Sequence, residues 1–136
     1  MNGSKRAAYS CVIIDDDKAM VHILEHYVSL TEKLALKCSF TDPLDATAAF
    51  WKFEKVDFLL IDIEMGVSGI DIARMLREKV AYVIFITAHR NYAMDAFAEG
   101  DRFLVKPLNF DQFLETINSI IARDRSKNLL GKKKHS

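Results

Sequence analysis

No apolar stretch in this chain approaches the eighteen or more residues that a membrane-spanning helix needs, and the opening Met1-Asn-Gly-Ser-Lys-Arg-Ala-Ala8 lacks the hydrophobic core of a signal peptide. The expectation is a cytoplasmic protein with no membrane partner. Cysteine is scarce: Cys11 and Cys38 are too few for a zinc site, and their apolar, strand-like surroundings predict two buried reduced thiols rather than a disulfide. Histidine offers no metal site either. His22, His26, His89 and His135 show no paired spacing with a metal partner, and His22 and His26, one turn apart, read as a surface or half-buried pair. Net charge is also absent, at zero, but the balance hides an asymmetry. Residues 123 to 136 hold six Lys/Arg (Arg123, Arg125, Lys127, Lys132, Lys133, Lys134) against one Asp, so this tail carries +5 and the remainder −5. An acidic body suits cations better than nucleic acid. The tail has no aromatic interleaving and reads as a solvated linker or frayed terminus.

What is there is a single domain's worth of chain: 136 residues, half of them hydrophobic, enough for one core and too few for two comfortable ones. Four short apolar runs each end in a polar residue of a particular kind. Cys11-Val-Ile-Ile14 ends in Asp15-Asp16-Asp17, Phe58-Leu-Leu-Ile61 in Asp62, Val83-Ile-Phe-Ile86 in Thr87, and Phe103-Leu-Val105 in Lys106-Pro107. Continuous apolar runs without polar alternation are what strands of a parallel sheet covered on both faces require. Such a sheet lines up its strand ends along one edge, where open α/β sheets bind ligands.

Helical and strand periods alternate five times. Asp16 or Asp17 caps a first helix with Met20, Ile23, Leu24, Tyr27 and Val28 at helical spacing, and Leu34 to Phe40 reads as a second strand. Thr41-Asp42-Pro43 supplies a cap and a first-turn proline for a helix through Ala46, Ala49, Phe50 and Phe53. Ser68-Gly-Ile-Asp71 resembles a capping box, opening a helix with Ile72, Ala73 and Leu76 inward. A fourth helix through Tyr92, Ala93, Ala96 and Phe97 runs until Gly100 stops it. The fifth strand ends at Lys106, and Asn109-Phe-Asp-Gln112 starts a last helix with Phe110, Phe113, Leu114, Ile117 and Ile121 on one face. The predicted fold is α/β: a doubly wound five-stranded parallel sheet flanked by five helices, with an extended or disordered stretch at 1–8, the domain at 9–122 and the basic tail or linker at 123–136.

Several carboxylates, one hydroxyl and one ammonium at a common edge suit a divalent cation and a phosphoryl group. Mg²⁺ prefers octahedral oxygen ligands and keeps several waters, so one or two carboxylates such as Asp16 and Asp62 serve. Clustered carboxylates repel, and a cation removes that penalty. An attacking Asp62 would form an aspartyl phosphate, with Lys106 and Thr87 of the right types to balance charge on the phosphoryl oxygens. Each residue has a duller reading alone: Asp15-Asp-Asp17 a helix cap, Asp62 a solvated strand end, Thr87 a cap, Lys106 a surface charge, Phe103 plain core. Only their joint occurrence at four strand ends favours a phosphoryl and Mg²⁺ site.

Asp15-Asp16 after the first strand, Asp62 after the third, Thr87-Ala88 after the fourth and Lys106-Pro107 after the fifth resemble the receiver domain of two-component response regulators, over roughly residues 9 to 122. The resemblance implies a flavodoxin-like fold with Asp62 as phosphoacceptor, Asp16 as a direct Mg²⁺ ligand and Asp15 as a ligand through water. It further implies the Glu64 backbone carbonyl on the metal, Thr87 and Lys106 on the phosphoryl group, Phe103 as an aromatic switch, and a cis Lys106-Pro107 bond. The implied partner is a sensor histidine kinase, and the protein itself turns over no outside substrate beyond its own phosphorylation and dephosphorylation. The implied output is a changed surface, with a homodimer through the fourth helix, fifth strand and fifth helix, where Tyr92, Phe97 and Arg102 lie.

Thr87-Ala-His-Arg-Asn-Tyr-Ala-Met-Asp-Ala-Phe97 with Phe103-Leu-Val-Lys-Pro107 is similar to receivers of the LytR/AlgR class. Those usually carry a C-terminal DNA-binding domain, absent from this chain. The resemblance therefore implies the regulatory part of a DNA-binding response regulator, with a stand-alone receiver or a phosphorylation-independent pseudo-receiver as alternatives. A haloacid-dehalogenase-type enzyme is disfavoured, because its Asp-x-Asp nucleophile follows the first strand whereas Asp62-Ile-Glu64 follows the third. The chain departs from the receiver pattern after Asp62, where Asp62-Ile-Glu-Met-Gly66-Val-Ser-Gly69 lacks the usual Pro and is one residue short. The segment Glu78-Lys-Val-Ala-Tyr82 is also compressed, and Gly100-Asp101-Arg102 replaces a more apolar approach to the fifth strand.

Overall fold

The structure, a computed structural model, describes residues 7–89 and 101–135, with side chains to residue 128. Strands β1 (Tyr9–Ile14), β2 (Leu34–Phe40), β3 (Val56–Asp62), β4 (Val80–Thr87) and β5 (Arg102–Val105) form one sheet, with helices α1 (Lys18–Ser29), α2 (Pro43–Phe50), α3 (Gly69–Leu76) and α4 (Phe110–His135). All neighbouring strands pair in parallel, in the order β2-β1-β3-β4-β5. Both faces of the central strands are buried, and alternate residues feed two separate cores. Cys11, Ile13, Phe58, Leu60, Ile84 and Ile86 meet α1 and α4 through Leu24, Val28, Phe113 and Ile117. Val12, Ile14, Leu59, Ile61, Val83 and Phe85 meet α2 and α3 through Ala46, Phe50, Ile72 and Leu76. The strand order reverses between β1 and β3, which opens a crevice beyond their C-terminal ends.

Caps set where the helices begin. Asp17 accepts the Ala19 N–H, Asp42 accepts that of Leu44 with Pro43 in the first turn, Ser68 accepts that of Ile70, and Asn109 accepts that of Gln112. Among the described residues no reciprocal Asp71 bond completes the expected capping box. Asp71 instead pairs with Arg74, both exposed, at 3.5 Å.

Other expectations shift as well. The buried stripe of α1 is Val21, Leu24 and Val28, whereas Ile23 is 40% exposed: two faces of this helix carry apolar residues, and spacing alone does not rank them. Ile120 joins the buried face of α4. Cys11 is buried as expected but Cys38 only partly, because β2 is an edge strand; both thiols are free. β5 ends at Val105, one residue before Lys106. The segment from residue 123, expected to leave the domain as a tail, continues α4 to His135. The expected fourth helix, with Tyr92, Ala93, Ala96 and Phe97, and most of residues 1–8 lie outside the described residues.

Candidate functional site

The crevice gathers what the sequence placed at the strand ends. Asp15 and Asp16 follow β1 and Asp62 closes β3, and one carboxylate oxygen of each lies within 4.8 Å of the others. Asp15 is wholly buried and Asp62 nearly so, while Asp16 faces solvent. Lys106, just past β5, reaches in from the far side, its Nζ 3.5 Å from Asp62 Oδ1. The Lys106-Pro107 bond is cis. Thr87 closes β4, fully buried.

The hydrogen bonds of these carboxylates are incomplete. Asp15 Oδ1 accepts the Asp17 N–H at 2.9 Å, but Asp15 Oδ2 is buried with no hydrogen-bond partner among the described residues. An orphaned carboxylate oxygen is costly in a low-dielectric site, and the simplest partner for it is a cation or a cation's water. Burial pushes the Asp15 carboxyl up to about 6, against the pull of the Asp17 N–H, with the Asp62 charge adding to the rise. Burial also raises Asp62, opposed by Lys106 and the Glu64 N–H at 3.3 Å. A lone ammonium at 3.5 Å does not offset two buried carboxylates. The donor set, oxygen only and rich in carboxylate, fits a hard divalent ion such as Mg²⁺.

Three features of the site escaped the sequence reading. Glu64, expected to act through its backbone, uses its side chain: it accepts the Thr87 hydroxyl at 3.2 Å and faces His89 Nε2 at 2.9 Å. His89, set aside among the histidines, thus borders the crevice and also donates its N–H to Thr87 Oγ1 at 3.0 Å. The available signal was that Glu64 and His89 each stand two residues beyond a strand end, on neighbouring strands. Gly69 is the third. The short loop after Asp62 folds back so that Gly69 N donates to Ile63 O at 2.8 Å, and a Cβ at Gly69 would collide with the Asp62 carbonyl oxygen. Phe103 is half-buried with its ring centroid 6.2 Å from that of Phe85.

The family model described as the response regulator receiver domain matches residues 11–118. The chain belongs to that family. As a receiver domain it is similar to an uncharacterized response regulatory protein of Yersinia pestis, 27% identical over 112 residues that cover 80% of this chain and 47% of the relative. It is also similar to the positive alginate biosynthesis regulatory protein of Pseudomonas aeruginosa, 39% identical over 67 residues covering 46% and 27%, in keeping with the LytR/AlgR resemblance. Its fold is shared with the response regulator TrrA of Thermotoga maritima, solved in complex with Mg²⁺ and beryllium fluoride. The TM-score is 0.69 and the identity 24%, with 82% of this chain and 98% of that one covered. The receiver spans about half the length of the curated relatives it matches.

Proposed function

We propose that this receiver takes a phosphoryl group onto Asp62 in a Mg²⁺-dependent reaction and passes the change to its output surface. The observation that carries the reading is the unbalanced carboxylate cluster of Asp15, Asp16 and Asp62, facing Lys106 with one buried oxygen left without a partner. Asp16 would hold the cation directly, Asp15 through water, and Asp62 and the Glu64 backbone carbonyl would complete its protein ligands. Bound there, the cation supplies charge neutralisation to the carboxylates and to the phosphoryl oxygens. An Asp62 carboxylate oxygen attacks phosphorus, and the bond from phosphorus to the donor's phosphohistidine nitrogen or acyl oxygen breaks, its electron pair leaving with the donor. Lys106 pairs with the transferred group. Thr87 turns its hydroxyl from Glu64 to a phosphoryl oxygen, and a water later attacks phosphorus, breaking its bond to Asp62 and releasing inorganic phosphate and the free carboxylate.

A sensor histidine kinase is the protein donor in this reading, with small acyl phosphates as the alternative source. A groove of about 450 Å³ beside the crevice, lined by Met20, Ile23, Tyr27, Pro107 and Leu108 together with His22 and His26, gives such a partner a mainly apolar seat. Movement of Thr87 alters packing next to Phe103 and changes the face of β5 and α4, with Arg102 on it; Tyr92 and Phe97 lie outside the described residues. Relatives named as transcriptional regulators are about twice as long as this match, which supports the regulatory part of a DNA-binding protein whose output lies in the other half.

Acetyl phosphate with intact-mass measurement tests the reading. The expected result is a gain of one phosphoryl mass with Mg²⁺, absent with chelator and absent in Asp62→Asn. No gain, or the same gain in Asp62→Asn, contradicts it.

A further inference from the structure

Helix α2 is apolar on both sides. Ala46 and Phe50 bury their side chains in the core, yet Leu44 is 67% exposed, Ala48 is exposed, and Trp51, the chain's one tryptophan, is 81% exposed. A helix with apolar residues all round is ordinarily buried all round. At about 100° per residue, Leu44, Ala48 and Trp51 fall within roughly 60° of one another, opposite Ala46 and Phe50. The backbone past α2 stays near helical through Trp51, so this stripe is continuous. It lies far from the carboxylate crevice in function: none of its residues is among those argued to hold the cation or the phosphoryl group.

The charges beside the stripe identify its partner. Asp45 and Lys52 are both exposed, on the same flank, and neither makes an ion pair among the described residues. Suppose two α2 helices pack antiparallel about a two-fold axis near Ala48. Leu44 of one copy then meets Trp51 of the other, Ala48 meets Ala48, and Asp45 meets Lys52. These three pairings share one centre to within a residue. A two-fold axis in the interface plane keeps each flank on its own side, so the Asp45 to Lys52 pairing forms twice. The small Ala48 at the centre lets the helices approach closely.

We propose that this α2 face is a contact between two copies of the chain, independent of phosphorylation and separate from the β5 and α4 face. Its apolar area is well below the ~800 Å² per partner of a standard interface, so the dimer is weak and concentration-dependent. Trp51 is the anchor expected to dominate its energetics.

Sedimentation of the metal-free chain over about two decades of concentration, with Trp51 fluorescence read alongside, tests this. The expected result is a mass rising toward twice that of the monomer while tryptophan emission shifts to shorter wavelength. Trp51→Ala weakens association about thirtyfold or more. Asp45→Lys, which sets like charges against each other twice, also weakens it, and the swap Asp45→Lys/Lys52→Asp restores it. Arg102→Glu leaves it unchanged, and circular dichroism confirms that every variant is folded. The proposal is overturned by a chain that stays monomeric throughout, by a dimer that Trp51→Ala and Asp45→Lys leave intact, or by a charge swap that fails to restore association.

Discussion

The two ends of this parallel sheet treat their carboxylates in opposite ways. At the end where the strands start, the two half-buried acids Asp57 and Asp124 are matched. Asp57 accepts the Ser10 N–H at 2.8 Å and its hydroxyl at 3.3 Å, while Asp124 accepts the Tyr9 hydroxyl at 3.0 Å and the Tyr82 hydroxyl at 2.5 Å, pinning α4 to β1 and β4. At the end where the strands finish, Asp15 keeps an orphaned oxygen and Asp62 has one ammonium at 3.5 Å. The first end is built for the stability of the folded chain alone. On the proposed function the second is completed by a cation and a phosphoryl group, a separation expected when a site sacrifices stability for chemistry.

The largest effect should come from breaking the matched end. Asp124→Ala leaves two tyrosine hydroxyls without their acceptor and is expected to lower stability by about 2 to 3 kcal/mol in urea unfolding. Stabilisation by Mg²⁺ should be unchanged in that variant. If it disappears too, the two ends are not independent. A smaller effect of opposite sign is expected at the other end, where Asp15→Asn removes a buried charge yet keeps an acceptor for the Asp17 N–H. The metal-free protein should gain about 1 kcal/mol at neutral pH and lose most of its stabilisation by Mg²⁺.

The pH dependence separates the ends further. An acid whose folded pKa is raised holds its proton longer in the folded state than in the unfolded chain, so stability is full below the ordinary pKa and lost as pH rises through the folded one. Burial holds Asp15 up to about 6, so metal-free stability should fall from the ordinary carboxylate range to about pH 6, with Asp62 adding in the same direction. Saturating Mg²⁺ or Asp15→Asn should flatten that fall. Burial and the Asp124 hydrogen bond push Tyr82 up to about 12, so the matched end contributes its own decline only above the ordinary tyrosine range. A urea-midpoint profile checks both windows.

Most of the fold was legible because central parallel strands leave a plain mark. Their uninterrupted apolar runs located β1, β3 and β4 to within a few residues at each start and gave their C-terminal ends, Asp42-Pro43 gave the start of α2, and the polar residue after each run marked the crevice. What escaped had no periodic signal. The Glu64 side chain and His89 meet only because β3 and β4 are neighbours, which strand order decides and local sequence does not. Gly69 is demanded by the backbone of Asp62, seven residues earlier, through a loop whose shortening was visible but whose path was not. Asp124 read as the lone acid in a basic tail. Its role depends on Tyr9 and Tyr82, more than forty residues away in sequence, and on α4 running unbroken past Ile121.

The most direct test of the account is a pair of amide chemical-shift maps, one of the metal-free chain and one with Mg²⁺ and beryllofluoride. The account predicts large shifts at Asp16, Asp62, Glu64, Thr87 and Lys106, smaller ones at Phe103, and none at Tyr9, Tyr82 or Asp124. It also predicts that Asp16→Asn and Asp62→Asn abolish the shifts at the carboxylate edge. Unmoved amides at that edge, or shifts that persist in both variants, would contradict it.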